Sequence, residues 1–318
     1  MIKNLDVICI GAALVDMVAN VERHPLEDDE VFVSDLKLLS GGAAANTAYA
    51  CAKLGLKTAF IGKLGHNDEF GNKIISDFKE VSVDTSLIKY SNNYGTGSAY
   101  VALNSEGNRR IYAHSGAANY LSKDDIITEE LLRGKLIYLS SLKNIEPFIE
   151  AAEIGRENYI PVILNPGMLI IDQGLDNIIQ LFEKIDILIL SQREYMTLLN
   201  IQGPELREEV ILDTSNNILK LGIKVIIITM GSNGAYLLTK KDSAIISAKK
   251  VKNVIDTTGA GDAFSAGFIF RFVQHLGYDF TELKFNVEFG NLIAGRCIQK
   301  LGARKGIPSR KEFMNFID

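Results

Sequence analysis

The run Asp256-Thr257-Thr258-Gly259-Ala260-Gly261-Asp262-Ala263-Phe264 brings small residues, an acid and the start of an apolar segment together. An extended β-branched approach, Val254-Ile255, leads into Gly-Ala-Gly. The almost wholly apolar stretch Ala263 to Val273 then suffices for about three helical turns. The pattern predicts a loop opening directly into a buried helix. Small residues at 259 to 261 let the backbone turn sharply and leave the first N–H groups of the helix uncovered. Those groups and the helix dipole can hold an anion. A carboxylate at Asp262, beside such an anion hole, repels a phosphate unless it has a task. The economical task is to take the proton from a hydroxyl that attacks that phosphate. On local grounds alone, Gly-Ala-Gly can also be a tight turn and Asp262 a simple dipole partner.

A second run lies near the N-terminus: Gly41-Gly42-Ala43-Ala44-Ala45-Asn46-Thr47-Ala48, continuing to Leu54-Gly55. Its alanines favour a helix, Gly55 suits a helix stop, and the double glycine suits a flexible joint. In this order and at this distance, the two runs resemble the ribokinase-type (PfkB) carbohydrate kinases.

That resemblance implies ATP-dependent phosphorylation of a primary hydroxyl, with Asp262 as base and Gly259, Ala260 and Gly261 in the anion hole. Gly41 and Gly42 would join a mobile lid to the main body, and Asn46 would contact the sugar. Asp16, in Gly11-Ala12-Ala13-Leu14-Val15-Asp16, becomes the leading sugar-binding residue, since a carboxylate can accept from two vicinal hydroxyls. Leu14 stands where ribokinase proper has a sugar-binding Asn, and Ala43-Ala44 replaces its Lys-Gly, which places ribose specificity in doubt. Asn119, in Ser115-Gly116-Ala117-Ala118-Asn119, either binds substrate or organises a turn. His114 sits where the acceptor pocket is expected. The adjacent Arg109 and Arg110 face opposite sides of a strand, so at most one can point into the site, and solvation of both is the expected reading.

On the nucleotide side, Thr229, Gly231 and Gly234 resemble the family's nucleotide-binding turn, and Asn291 an adenine-side position. Ser191-Gln192-Arg193-Glu194 replaces an Asn-x-x-Glu element that helps place magnesium. Glu194 can still order metal-bound water, because Mg²⁺ keeps several waters. Asn165, after a strand, is either a phosphate-side residue or part of an Asn-Pro turn. Asp256, with carbonyls of the Gly302-Ala303-Arg304 tail, is a candidate holder of a monovalent cation such as K⁺.

The elements that must position these residues form an α/β pattern. Apolar β-branched runs at 6–10, 58–61, 136–139, 161–164, 186–190 and 224–229 alternate with helix-length segments. This predicts a doubly wound, mostly parallel central sheet flanked by helices, here ribokinase-like. Ligands of such sheets bind beyond the carboxyl ends of the strands. Shorter amphipathic runs at about 15–39 and 96–113, the second pair flanking the turn Asn104-Ser105-Glu106-Gly107, predict a small β-sheet lid. No repeat or linker separates a further domain, so the 318 residues read as one kinase domain.

Composition excludes more than it assigns. An apolar content of 47% supports a sizeable core, and a net charge of −5 with no basic block argues against nucleic acid as a partner. Neither a leader-like segment nor an apolar span of about 18 residues is present, and the scattered Cys9, Cys51 and Cys297 read as reduced core thiols. The expectation is a cytoplasmic protein without a membrane partner. No Gly-x-x-x-x-Gly-Lys-Ser/Thr, His-Glu-x-x-His or Cys/His cluster occurs. The acceptor is read as a sugar, with an adenosine- or inosine-type nucleoside as the alternative; a noncatalytic sensor is the reading from another class. Small lid strands cannot bury two faces alone, so apolar positions such as Val31, Val33, Tyr100, Val101 and Ile111 are expected to need a partner on the face turned away from the substrate, which predicts a homodimer formed through the lid.

Overall fold

A computed structural model describes residues 3–106, 108–203 and 208–314. Gly107, in the turn expected at 104–107, lies outside them. Along the chain the strands are β1 (Val7–Gly11), β2 (Leu14–Val21), β3 (Val33–Gly41), β4 (Thr58–Ile61), β5 (Lys63–Gly65), β6 (Lys89–Ser91) and β7 (Thr96–Leu103). They continue as β8 (Arg109–Gly116), β9 (Ile137–Ser140), β10 (Val162–Asn165), β11 (Ile187–Ser191), β12 (Val225–Thr229), β13 (Ala235–Thr239) and β14 (Ser243–Ile246).

Eight of these form the main sheet in the order β14-β13-β12-β11-β10-β9-β1-β4, parallel from β12 through β4 and antiparallel across β12, β13 and β14. The central strands are buried on both faces, which is why they read as unbroken apolar runs rather than as alternating ones. Val7, Cys9, Tyr138, Ile187 and Ile227 pack into one core with the helices Ala43–Lys53, Ala260–Phe272 and Phe280–Cys297. Ile8, Ile10, Leu139, Leu164 and Ile226 pack into a second core on the opposite face, with the helices Glu146–Glu157, Leu175–Phe182 and Glu208–Lys220. The register sets Gly11, Ser140 and Asn165 side by side at the carboxyl edge, and Ser191 beside Thr229.

The remaining large extended runs make a separate four-stranded sheet, β3-β2-β7-β8, at the places expected for the lid. Strand pairing decides its two faces. Asp16 shares a face with Val18, Val101, Ile111 and Arg109, while Met17, Leu36, Leu38, Tyr100 and Tyr112 lie on the other. A register shift between Asn20 and Val21 puts Val33 on that other face too. Val101 and Ile111 therefore roof the acceptor side rather than the outer face. His114 pairs with Ser98, opposite Val15, and so points away from the face that carries Asp16.

The Ala260–Phe272 helix is held by close approach to the Phe280–Cys297 helix. A Cβ at Gly267 would lie 2.9 Å from both Gly290 Cα and the Phe289 carbonyl oxygen. Helix propensity favours alanine over glycine by about 1 kcal/mol, whereas overpacking costs about 1–3 kcal/mol. We expect packing to win, so Gly267→Ala should lower the melting temperature by at least about 2 °C. A melting temperature raised by the substitution, read by differential scanning calorimetry, would show that the two helices are not in tight contact.

Candidate active site

Gly259 adopts the left-handed conformation (φ 75°, ψ 6°) at the start of the Ala260–Phe272 helix and offers no side chain to cap it. A Cβ at this position would also collide with Ala303. The Ala260 N–H donates to the Thr257 carbonyl at 3.2 Å. That engagement removes it from the expected anion hole and leaves the helix's next N–H groups, those of Gly261 and Asp262, as the donors facing outward. Nothing lies within 4 Å of a Cβ built on Gly261, so its backbone is open to a ligand.

Asp262 lies in the first turn of this helix and meets the Ala43–Lys53 helix. Asn46 Nδ2 donates to Asp262 Oδ2 at 2.9 Å, and Thr47 Oγ1 donates to the Asp262 carbonyl at 3.4 Å. Burial pushes the Asp262 carboxyl up to about 7, with Glu194 adding to the rise; the Asn46 bond and Arg304 pull against it. A carboxylate poised near neutrality can accept a proton in the cell and release it again.

Asp16 is the second perturbed acid. Burial pushes it up to about 6 against the pull of Arg304, and no protein donor is hydrogen-bonded to it among the described residues. A Cβ at Gly41 would collide with the Asp16 carboxylate, so glycine there is what lets the acid fit. Gly42 follows with φ 92° and ends the lid strand where the Asn46 helix begins, and its carbonyl accepts from the Asn46 N–H. Asp16, Gly41, Gly42, Asn46 and Asp262 thus form one connected group. Asn119 does not join them: it is exposed in the 3₁₀ turn Ala117–Tyr120 and makes no side-chain hydrogen bond among the described residues.

The nucleotide-side candidates converge on a cavity of about 620 Å³, lined by Thr229, Gly231, Gly234, Ala260, Gly261 and Asn291 among others. That volume falls in the range of small-molecule sites. Within it Gly231 faces open space, whereas a Cβ at Gly234 would strike the Ile246 carbonyl, so that glycine shapes the turn instead. Asn291 Nδ2 donates to the Ile246 carbonyl at 3.0 Å and clasps the end of β14. A wider groove of about 1200 Å³ opens elsewhere and holds only Asn291 of the candidates, so size alone does not mark the site.

Ser191 explains its own departure from Asn. Its Oγ accepts from the Glu194 N–H, and Glu194 Oε2 accepts from the Ser191 N–H, a reciprocal cap on the helix Gln192–Leu198. Among the described residues the other Glu194 oxygen has no hydrogen-bond partner. Among the described residues no group of three or more His, Cys, Asp or Glu side chains could hold a metal by itself. One spare carboxylate oxygen suits Mg²⁺ carried with its waters on a nucleotide. Asp256 accepts from the Thr258 N–H and Oγ and from the Gly302 N–H, so its carboxylate organises the loop. Asn165 Nδ2 donates to Ser265 Oγ at 3.4 Å.

Two arginines extend the picture. Arg109 crosses from the lid to donate to Thr258 Oγ1 at 3.3 Å, while Arg110 turns to the opposite face and the Pro25 carbonyl. Both side chains are exposed, as expected, and the bond to Thr258 is what the sequence did not show for Arg109. Arg304, read only as part of a tail, donates from Nε to Asn46 Oδ1 at 2.9 Å. Its position beside Gly302 and Ala303 was the only available signal.

Comparison with known proteins agrees with this arrangement. Residues 4–310 match the pfkB family of carbohydrate kinases. The chain is 33% identical to the ribokinase of Staphylococcus aureus (strain COL), covering 96% of this chain and 97% of the relative. It is 30% identical to a sugar kinase of Archaeoglobus fulgidus over 81% of this chain and 97% of the relative. The structure of Arabidopsis thaliana ribokinase complexed with ribose and ATP superposes with a TM-score of 0.86 at 28% identity, over 100% of this chain and 99% of that one. The chain belongs to the pfkB family of carbohydrate kinases and is an ATP-dependent phosphotransferase acting on an alcohol group.

Proposed function

We propose that the acceptor is a free sugar of the ribose or fructose type, phosphorylated on its hydroxymethyl oxygen. The observation that carries this is Asp16: a partly buried carboxylate, on the lid face turned to the site, with no protein donor. Such a group is matched by hydroxyl donors on a polyol. The sugar would lie between Asp16 and Asn46, with its hydroxymethyl group toward Asp262. Asp262 takes the hydroxyl proton, and the N–H groups of Gly261 and Asp262 hold the phosphoryl group being transferred. ATP occupies the cavity between Gly231 and Asn291. Mg²⁺, where bound, supplies neutralisation of phosphate charge, with Glu194 holding one of its waters. A monovalent cation would lie against the carbonyls of the loop that Asp256 organises. Positioning and electrostatics of this kind are what loose phosphoryl transfer requires. A nucleoside is the second reading, favoured by the apolar roof of Val18, Val101 and Ile111, which suits a base as well as a sugar.

No helix among the described residues is long and apolar enough to cross a membrane. Cys9, Cys51 and Cys297 are free and buried, which fits the cytoplasm we propose for it. We also propose a homodimer through the outer lid face, where Val33, Leu36, Leu38 and Tyr112 are exposed. Sedimentation velocity at micromolar concentration should give a dimer, and Leu36→Glu with Leu38→Glu a monomer. A wild-type monomer with full activity would remove the dimer and favour the nucleoside reading.

Asp262→Asn should lower kcat by about 10²- to 10⁴-fold while calorimetry still detects ATP binding. In the wild type, kcat/KM for the acceptor should rise with pH through an acid limb near 7, where Asp262 loses its proton. A raised carboxylate favours the native state less as pH climbs from the unfolded value toward the folded one. Asp262→Asn should therefore gain more thermal stability over wild type at pH 8 than at pH 5. Near-normal turnover by the Asn variant would end the base assignment.

Asp16→Ala should raise the acceptor KM by roughly 10- to 100-fold, the loss expected for a charged hydrogen bond, with the ATP KM little changed. The panel should contain ribose, 2-deoxyribose, fructose, adenosine and inosine. Equal losses for acceptor and ATP would sink the role given to Asp16.

A further inference from the structure

The Asn46 side chain is used at both ends. Its Nδ2 donates to Asp262 Oδ2 and its Oδ1 accepts from Arg304 Nε, each at 2.9 Å. The two ends of an amide are nearly equal in shape, and neighbours decide which way round it sits. A guanidinium has donors only. It therefore claims the amide oxygen and obliges the nitrogen to face Asp262.

Arg304 is an expensive residue to keep in this place. It is only 9% exposed, and its Nη1 and Nη2 make no hydrogen bond among the described residues. Its guanidinium lies over the rings of Tyr49 and Phe78, at 5.0 and 5.6 Å, with Asp77 Oδ2 3.7 Å from Nη1. A slot walled by two aromatic rings would accept an apolar side chain without the desolvation of a cation. Among the described residues, the one hydrogen bond of the Arg304 side chain is to Asn46. Asp77 also accepts from Ser40 Oγ at 2.6 Å, one residue before the Gly41-Gly42 joint. The guanidinium thus stands where acceptor amide, base and lid hinge meet.

We infer that Arg304 is a positioning residue for phosphoryl transfer: through its bond to Asn46 it fixes the amide so that Nδ2 holds the Asp262 carboxylate toward the acceptor hydroxyl. The inference rests on reading Asp262 as the base. Charge acts alongside geometry. Asp262 faces Arg304 and Glu194, with Tyr138 and Cys297 near enough to feel its charge; Arg304 faces Asp77, Tyr49, Asp262 and Asp16. Removing the guanidinium leaves burial and Glu194 unopposed except by Asn46, so protonation of Asp262 should become easier.

The test is a double-mutant cycle on kcat, with ribose or the sugar most rapidly phosphorylated as acceptor. Arg304→Met should lower kcat roughly 10- to 100-fold, as misplacement of a reacting group does, and move the acid limb of kcat/KM to higher pH. Arg304→Lys, which keeps one donor and the charge, should recover most of both. In an Asn46→Ala background, Arg304→Met should cost almost nothing further. Thermal unfolding and ATP calorimetry accompany each variant. Should the Met variant not fold, Lys is carried through the same cycle, with a smaller loss that again vanishes beside Asn46→Ala. Equal losses in both backgrounds, an unchanged kcat and acid limb in folded Arg304→Met, or, where Met does not fold, no loss at all in Arg304→Lys, would overturn the inference. Sustained activity of Asp262→Asn would instead overturn the reading of the base, whatever Arg304 does.

Discussion

The hydrogen bond from Asn46 to Asp262 joins residues 216 positions apart in sequence, and the site exists only where it can form. Each partner sits on a helix of the same sheet face, and those helices pack against each other over one core. The Gly267 contact holds the Asp262 helix from behind, and Gly42 opens the Asn46 helix in front. Tight helix packing thus sets a carboxylate where solvent would otherwise take its place. The electrostatic outcome follows from magnitudes. A helix N-terminus favours an ionised acid by about 0.3–1 kcal/mol, whereas moving a carboxyl from 3.8 to about 7 is worth on the order of 4 kcal/mol. Burial overrides the dipole and lifts the carboxyl to near neutral pH, which suits the base we propose it to be.

Much of the fold was legible because its signals are local. The strand expected at 58–61 is found there, and the other five main-sheet runs are found within a residue or so of their expected bounds. Fully buried parallel strands leave little ambiguity when the chain writes Ile187-Leu188-Ile189-Leu190. The small sheet falls at the runs expected for the lid, but two of its residues face the other way. Val101 and Ile111 look outward because both are apolar; which way a strand residue points depends on register, and their pairing with Val18 turns them to the face of Asp16.

Within the candidate site, glycine or an unusual acid is enough to single out Gly259, Gly261, Asp16 and Asp262 from the sequence. Residues whose meaning comes from a distant partner give no such signal. Arg304 looks like a charged tail residue until the chain end folds beneath the Asn46 helix. Arg109 is solvated as its sequence suggests, but its bond to Thr258 depends on the lid hanging over that loop. Ser191 looked like a weakened metal element, yet its hydroxyl satisfies the helix end that an Asn would otherwise cap.

The two halves of the site are built from different materials, and this separates what can drift from what cannot. The nucleotide side is mainly backbone: the open glycines at 231 and 261 and the uncapped N–H groups of a helix. Any sequence that keeps those turns keeps that surface. On the acceptor side the work falls to side chains, Asp16 from the lid, Asn46 from one helix and Asp262 from another, with Gly41 small enough to admit the first. A substitution there alters hydroxyl matching directly, while the sheet beneath, buried on both faces, is unaffected. In the reading proposed, donor chemistry is therefore tied to the fold itself, and acceptor identity to a few side chains, one on a lid strand and two on packed helices. Leu14 and Ala43-Ala44, at the strand start and helix start that flank Asp16 and Asn46, are where this chain has made such substitutions.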